Sequence, residues 1–270
     1  MHHYVDEVRF HYEVAGDGPP LLLLHGFTGS SANWQPLMGR LAERRTAILV
    51  DLIGHGQSDA PASLEHYRMR KAAEDLVALL DHLAIRRTDV LGYSMGGRVA
   101  LHLAVHFLER VTRMVLESAS PGLADPAERA ARVRSDEALA DRIERDGVVA
   151  FVDEWEAMPL FQTQRRLPAA MRSALREQRR RNSPRGLANS LRGMGAGAQA
   201  SLWDELAGVQ LPVLLLTGQD DAKFSAIAGR MAAALPAATR RVIPDAGHAV
   251  HLEQPDLFSD AALAFLADHS

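Results

Sequence analysis

Ser94 lies in a pattern that is typical of an activated serine nucleophile. The residues from Gly92 to Gly96 read Gly-Tyr-Ser-Met-Gly, and they stand between a short apolar run and a helical pattern, Arg98 to Phe107. A serine at such a strand-to-helix turn is strained and exposes its hydroxyl, and the two glycines let the backbones meet closely. Alone the motif is weak, because a tight turn whose serine only caps the helix has the same local pattern.

A serine hydroxyl needs a neighbouring base, and the base needs a third group that fixes its tautomer. His248 is the candidate base, because it follows Gly247 in a loop after an apolar run that ends at Ile243. His251, three residues further on, is the alternative base. We predict no metal site at these two histidines, because no third ligand is nearby.

The acid of the triad comes between the serine and the histidine in the chain order of this arrangement. Asp220 and Asp221 both follow the apolar run from Val213 to Leu216, so they compete for the role. The spacing Gly218-x-x-Asp favours Asp221, and we expect Asp220 to cap a helix or face solvent.

A negative charge that develops on a substrate oxygen needs two N–H donors. One candidate is the backbone N–H of Met95, directly after the nucleophile. The other is the backbone N–H of Phe27, in the loop that begins His25-Gly26-Phe27 after the first central strand. Gly26 and Gly29 allow that loop to approach a substrate.

Apolar runs and helical spacings alternate along the first half of the chain, which predicts a parallel sheet with helices on both faces. The predicted strands are Val8–Val14 at the sheet edge, Leu21–Leu24, Ala47–Val50, Asp89–Leu91, Met114–Leu116, Val213–Leu216 and Thr239–Ile243. The predicted helices are Ser31–Glu43, Tyr67–Leu83, Arg98–Phe107 and Pro255–Ala267.

The alternation stops after Ser118, and residues 124–206 show helical patterns without a convincing strand. We therefore predict one sheet domain, residues 1–120 and 207–270, that is interrupted by a helical lid, residues 121–206. An insertion at the carboxyl end of a strand lies over the active-site edge of such a sheet.

Composition excludes several classes of function. The chain has 270 residues, 47% of them hydrophobic and 24% charged, with a net charge of −4 and no cysteine. Thiol catalysis and thiolate metal sites are therefore excluded, and general nucleic-acid binding is disfavoured. The apolar runs are too short to cross a bilayer, and the segment from Met1 to Phe10 has no apolar signal region. We expect a cytoplasmic protein that does not bind membranes, and the sequence does not indicate its oligomeric state.

The motifs together resemble the α/β-hydrolase superfamily over nearly the whole chain, which implies the α/β-hydrolase fold. They are Leu24-His25-Gly26-Phe27, Gly54-His55-Gly56-x-Ser58-Asp59, the Ser94 turn, Gly218-x-x-Asp221 and Gly247-His248.

A narrower resemblance is to the 2-succinyl-6-hydroxy-2,4-cyclohexadiene-1-carboxylate synthases of menaquinone (vitamin K2) biosynthesis. It rests on Gly-Tyr-Ser-Met-Gly-Gly-Arg at 92–98, on Pro121-Gly122-Leu123 with the segment 129–136, and on the segments 155–161, 186–195 and 221–224. That family uses no cofactor and removes pyruvate from an enolpyruvyl cyclohexene tricarboxylate by proton abstraction and elimination. The resemblance implies substrate binding by Tyr93, Arg98, Arg132, Trp155 and Arg179.

The arginines also fit that substrate on physical grounds, because guanidinium groups bind carboxylates through two parallel hydrogen bonds. Arg98 comes one helical turn after Ser94, and residues 164–192 contain nine arginines and one acid, Glu177. Two alternatives stay open at this point. One is a serine hydrolase of esters or carbon–carbon bonds, and the other is a non-catalytic binding protein with this fold.

Overall fold

An eight-stranded sheet forms the centre of the molecule in the computed structural model, which describes residues 1–267. Its spatial order is β1-β2-β4-β3-β5-β6-β7-β8. The first two strands pair antiparallel with their neighbours, and the pairs from β4 to β8 are parallel. The strands are β1 His2–Val5, β2 Val8–Ala15, β3 Pro20–Leu24, β4 Thr46–Val50, β5 Thr88–Tyr93, β6 Val111–Glu117, β7 Val213–Gly218 and β8 Ala238–Ile243. The predicted α/β-hydrolase fold is confirmed.

The prediction that residues 8–14 form the sheet edge is wrong, because β1 lies outside β2. The short segment His2–Val5 lacks the apolar run that marks the other strands. It pairs through a two-residue turn in which Asp6 and Glu7 both have positive φ, the conformation that suits a tight hairpin.

The helices are α1 Met38–Leu41, α2 Met69–His82, α3 Met95–His106, α4 Pro126–Glu156, α5 Ala169–Arg180, α6 Pro184–Met194, α7 Ala222–Ala234, α8 Val250–Glu253 and α9 Pro255–Ala267. The predicted helix Ser31–Glu43 is instead a 3₁₀ segment, Ser31–Leu37, followed by the short α1. Pro36 lies inside the 3₁₀ segment and has no N–H for a regular α-helical ladder. No helix in residues 1–267 is long and apolar enough to cross a membrane.

Alternate side chains of β3 enter two separate cores, one on each face of the sheet. Leu22 and Leu24 pack with α2 and α3, whereas Leu21 and Leu23 pack with Trp34 and α9. Burial on both faces explains why the central strands are continuous apolar runs.

The helices α4, α5 and α6 follow the carboxyl end of β6 and lie before β7. They have their own apolar cluster, in which Ile143 and Phe151 of α4 pack with Leu187 of α6. Polar contacts connect them to the loops of the sheet, since Gln178 and Asn182 both donate to the carbonyl of Thr28, at 3.0 and 2.9 Å. These contacts place the helices over the carboxyl edge of the strands.

The close approach of α3 to β3 should make Gly96 intolerant of any side chain. A Cβ on Gly96 would lie 2.1 Å from the carbonyl oxygen of Leu24, which is backbone and cannot yield. We expect Gly96→Ala to lower the free energy of unfolding by about 1–3 kcal/mol or more, as measured by urea denaturation.

Gly39→Ala is the matched control, because a Cβ on Gly39 meets no atom within 4 Å. This change should be neutral or slightly stabilising, since alanine is the better helix former. Equal stability of the two variants would contradict the packing described here.

Candidate active site

Ser94 occupies a strained backbone conformation at the junction of β5 and α3. Its φ is 50° and its ψ is −105°, which L-residues rarely adopt. The strand and the helix touch where the flanking glycines stand, and a Cβ on Gly92 would lie 2.6 Å from the carbonyl oxygen of Gly96. The Ser94 N–H donates to the backbone carbonyl of Glu117 at 2.8 Å, which anchors the turn to β6.

The structure brings Ser94, His248 and Asp221 together in one hydrogen-bonded chain. The Nε2 atom of His248 is 3.0 Å from the hydroxyl oxygen of Ser94, and its Nδ1 atom is 2.7 Å from Oδ2 of Asp221. The His248 and Asp221 side chains are only 2% and 4% exposed. With Nδ1–H donating to the carboxylate, Nε2 is free to accept the serine proton.

Asp220 is not part of this chain, because its carboxylate pairs with Arg166 at 2.7 Å near the surface. Asp221 also accepts from the Phe224 N–H at 3.2 Å, so it caps α7 while it holds His248. The two acids are adjacent in the sequence, but their side chains point in different directions, and Asp221 is the one that bonds to His248.

His251 does not reach Ser94. Its ring and its backbone N–H both bond to the carboxylate of Glu117 in the interior. Glu253, the last residue of α8, holds the backbone of the base loop, residues 244–249, since its carboxylate accepts from the N–H groups of Gly247 at 2.9 Å and Ala249 at 3.4 Å. Sequence reasoning missed Glu117 and Glu253. An acid that ends a buried apolar strand was the available signal for Glu117.

Met95 and the loop that contains Phe27 lie beside Ser94. Met95 is the first residue of α3, so its N–H has no partner within the helix. Gly26 packs against the nucleophile, because a Cβ there would be 3.5 Å from the Ser94 Cβ and would overlap the Tyr93 ring. The His25 ring holds the loop, since Nδ1 donates to the Gly26 carbonyl at 2.8 Å and Nε2 accepts from the Leu52 N–H at 3.0 Å.

Arg98 and Arg132 lie near one acid, Asp136, which pairs only with Arg132. Arg132 bonds to Asp136 at 2.7 Å, whereas Arg98 donates to the carbonyl of Met194 and to the side-chain oxygen of Gln199. No carboxylate among residues 1–267 pairs directly with Arg98. Burial, followed by repulsion from Arg132, lowers the pKa of Arg98 to about 9. The group therefore holds more positive than negative charge.

The other three candidate binding residues line a cavity beside Phe27, and they are Tyr93, Trp155 and Arg179. The buried Arg179 donates to Glu156 at 2.9 Å and to Gln164 at 3.0 Å. The Trp155 ring centroid is 5.2 Å from that of Phe27, and its Nε1–H is buried without a partner in the described residues. Burial, and then the nearby Glu117 carboxylate, raises the pKa of Tyr93 well above its ordinary value.

Phe27 lines one cavity of about 20 Å³ together with Tyr93, Trp155 and Arg179. Arg98 and Arg132 do not line this cavity. Its volume is roughly the space of one water molecule. No cluster of three or more histidine, aspartate or glutamate side chains in residues 1–267 could hold a metal ion.

Comparisons with known proteins find relatives over nearly the whole chain. The family model described as alpha/beta hydrolase fold matches residues 19–255. The chain is 44% identical to a putative 2-succinyl-6-hydroxy-2,4-cyclohexadiene-1-carboxylate synthase of Bacillus subtilis, over 97% of this chain and 96% of that protein. The structure of MenH from S. aureus superposes with a TM-score of 0.91 at 33% identity, covering 95% of this chain and 97% of that one. A thermophilic esterase from Thermogutta terrifontis, bound to malate, superposes with a TM-score of 0.84 at 28% identity, covering 96% and 93%.

Asp221→Asn and Asp220→Asn form a matched pair that tests which acid orients His248. An amide at position 221 would favour the wrong tautomer of the imidazole, so the rate at which a fluorophosphonate labels Ser94 should fall by about 10⁴-fold. Asp220→Asn removes only a surface ion pair and should label at the wild-type rate. Mass spectrometry follows the labelling, and similar rates for the two variants would exclude Asp221 as the orienting acid.

Proposed function

The chain belongs to the α/β-hydrolase-fold family and within it to the 2-succinyl-6-hydroxy-2,4-cyclohexadiene-1-carboxylate synthases, and we propose that Ser94 is the base of its pyruvate elimination. The substrate is 2-succinyl-5-enolpyruvyl-6-hydroxy-3-cyclohexene-1-carboxylate. The observation that carries the assignment of residues is the pair of hydrogen bonds that joins Ser94 to His248 and His248 to Asp221.

In the proposed step, His248 accepts the hydroxyl proton of Ser94 while the serine oxygen takes a proton from a ring carbon of the substrate. The electron pair of that C–H bond moves toward the succinyl carbonyl, which gives a dienolate with its negative charge on the carbonyl oxygen. It then forms the new double bond as the C–O bond to the enolpyruvyl group breaks. The leaving enolate takes the proton from His248 and becomes pyruvate, so the enzyme returns to its initial state.

The N–H groups of Phe27 and Met95 would stabilise the dienolate oxygen, since donors aimed at a developing charge lower the barrier. Asp221 would stabilise the imidazolium form of His248 that exists between the two proton transfers. This chemistry needs no cofactor and no covalent bond to Ser94.

The arginines would bind the carboxylates of the substrate. Arg98 and Arg132 carry two positive charges beside one carboxylate, that of Asp136, and this carboxylate pairs with Arg132. An anion at this place would supply the missing partner, and a charge-assisted bond of this kind contributes about 1.5–3 kcal/mol. In the cavity beside Phe27, the candidate donors are Arg179 and the unpartnered Trp155 N–H.

We also propose that residues 121–206 act as a lid. The cavity of about 20 Å³ between Phe27, Tyr93, Trp155 and Arg179 is too small for a cyclohexene ring with three carboxylates. Trp155 of α4 and Arg179 of α5 line this cavity, so a movement of these helices would enlarge it. The hydrogen bonds of Gln178 and Asn182 to Thr28 are contacts that such a movement would break.

A serine esterase is the second candidate, because the same three residues and the same oxyanion donors serve acyl transfer equally well. An esterase that acts on a neutral substrate would not need an excess of positive charge next to that substrate. The cytoplasmic location stays a prediction, as does the absence of nucleic-acid and membrane partners.

A pyruvate-coupled assay with the enolpyruvyl substrate tests the proposal, and Arg98→Ala makes it specific. The wild-type enzyme should release pyruvate, and Arg98→Ala should reduce kcat/KM by about ten- to a hundredfold because one carboxylate contact is lost. Arg98→Lys should recover part of that loss, since an ammonium cannot form the two-pronged contact.

Two controls accompany this variant. Arg134→Ala removes an exposed arginine two residues from Arg132 on α4 and should leave kcat/KM unchanged. Hydrolysis of a small neutral aryl ester should hardly respond to Arg98→Ala. If pyruvate release and ester hydrolysis fell equally, Arg98 would only support the fold beneath Ser94. A wild-type enzyme that hydrolysed the ester and released no pyruvate would favour the esterase.

A further inference from the structure

A buried acid and a buried histidine lie directly behind the candidate active site, and the proposed reaction uses neither. Glu117 ends β6 and His251 lies on α8, and their side chains are 0% and 1% exposed. The His251 Nδ1 atom is 3.0 Å from Oε1 and 2.9 Å from Oε2 of Glu117. The backbone N–H of His251 also donates to Oε1, at 3.0 Å.

Glu117 is connected to both halves of the triad. Its backbone carbonyl accepts the N–H of Ser94 at 2.8 Å, and it pairs with Tyr93 in the β5–β6 register. Its carboxylate holds His251, three residues after His248. One residue therefore joins the turn that carries the nucleophile to the loop that carries the base.

We propose that Glu117 and His251 are positioning residues that set the distance between Ser94 and His248. This inference rests on the proposed catalytic role of those two residues. Glu117 and His251 touch no reacting atom, and they act through the backbone of the base loop and the turn at Ser94.

The energetic reason is the cost of an unpaired charge in the interior. The hydrogen bonds to the Glu117 carboxylate within residues 1–267 are those from the ring and the backbone N–H of His251. A shift of α8 away from β6 would break these bonds and leave a buried carboxylate without donors, which is strongly unfavourable. The base loop therefore cannot drift from Ser94 without that penalty.

Packing and charge around His251 support the same conclusion. The rings of Tyr93 and Trp34 lie 4.7 and 4.8 Å from its ring, so it has no room to turn away from Glu117. On the side of the base loop, Glu253 holds the N–H groups that flank His248. The segment that carries the base is thus held by the Glu253 carboxylate of α8 and by the Glu117 carboxylate of β6.

Two substitutions of His251 separate positioning from a merely structural role. His251→Leu introduces an apolar side chain of similar size and removes the ring donor. His251→Asn can restore a donor, because its side-chain nitrogen occupies the place of Nδ1. Glu117→Gln tests the other partner, since its amide N–H would face the ring N–H of His251.

Asp89→Asn is the matched control. Asp89 forms a comparably buried ion pair with Arg45, at 2.7 Å with side chains 4% and 6% exposed. It lies near the start of β5, at the opposite end of the strand from Ser94. Asp89→Asn should therefore lower the thermal midpoint and leave the triad unaffected.

The first measurement is the rate at which a fluorophosphonate labels Ser94 in each folded variant, with the thermal midpoint measured in parallel. We expect His251→Leu and Glu117→Gln to slow the labelling by about ten- to a hundredfold, because a small displacement of a catalytic group has effects of this size. His251→Asn should recover most of the rate, and Asp89→Asn should label as the wild type does.

The second measurement is pyruvate release, in which kcat should fall with KM unchanged. Labelling of His251→Leu at the wild-type rate would overturn the proposal, and so would equal rates for the leucine and asparagine variants. If Glu117→Gln does not fold, the two His251 variants decide. The labelling rates do not depend on the substrate, so a wild-type enzyme that releases no pyruvate would refute the proposed function and leave this test intact.

Discussion

The backbone of Ser94 is held at φ 50° by contacts that leave no freedom for adjustment, and the rest of the site is arranged around that turn. The β5 and α3 backbones touch at Gly92 and Gly96, and α3 also touches the backbone of β3 at Leu24. The Ser94 N–H is bound to β6. Strain of this kind persists only where the surroundings determine the backbone completely. Three neighbouring parallel strands do so here, and they expose the hydroxyl at the carboxyl edge of the sheet.

Electrostatics explains how a triad of general use is adapted to one kind of substrate. The Ser94, His248 and Asp221 arrangement can abstract a proton or attack an ester, so geometry at the triad does not choose between these reactions. The arginines make that choice in our account. Arg98 and Arg132 carry two positive charges beside the one carboxylate of Asp136, and Arg98 bonds only to neutral acceptors, so an anionic substrate would add the opposite charge that this group lacks.

Local patterns in the sequence were sufficient for the seven strands β2 to β8, the Ser94 turn and the order of serine, aspartate and histidine. They failed where the structure depends on contacts between distant segments. The strand β1 has no apolar pattern and forms only because β2 offers it an edge. The Glu117 carboxylate joins residues 134 positions apart, and no local pattern reveals its partner.

The central claim is that Ser94 acts as a base and never as a covalent nucleophile. The most direct test is a single-turnover reaction with substrate that carries deuterium at the ring carbon that loses its proton. Our account predicts slower pyruvate release from the deuterated substrate, with no increase in the mass of the enzyme at any time. Equal rates for the two isotopes, together with a covalent adduct on Ser94, would contradict it.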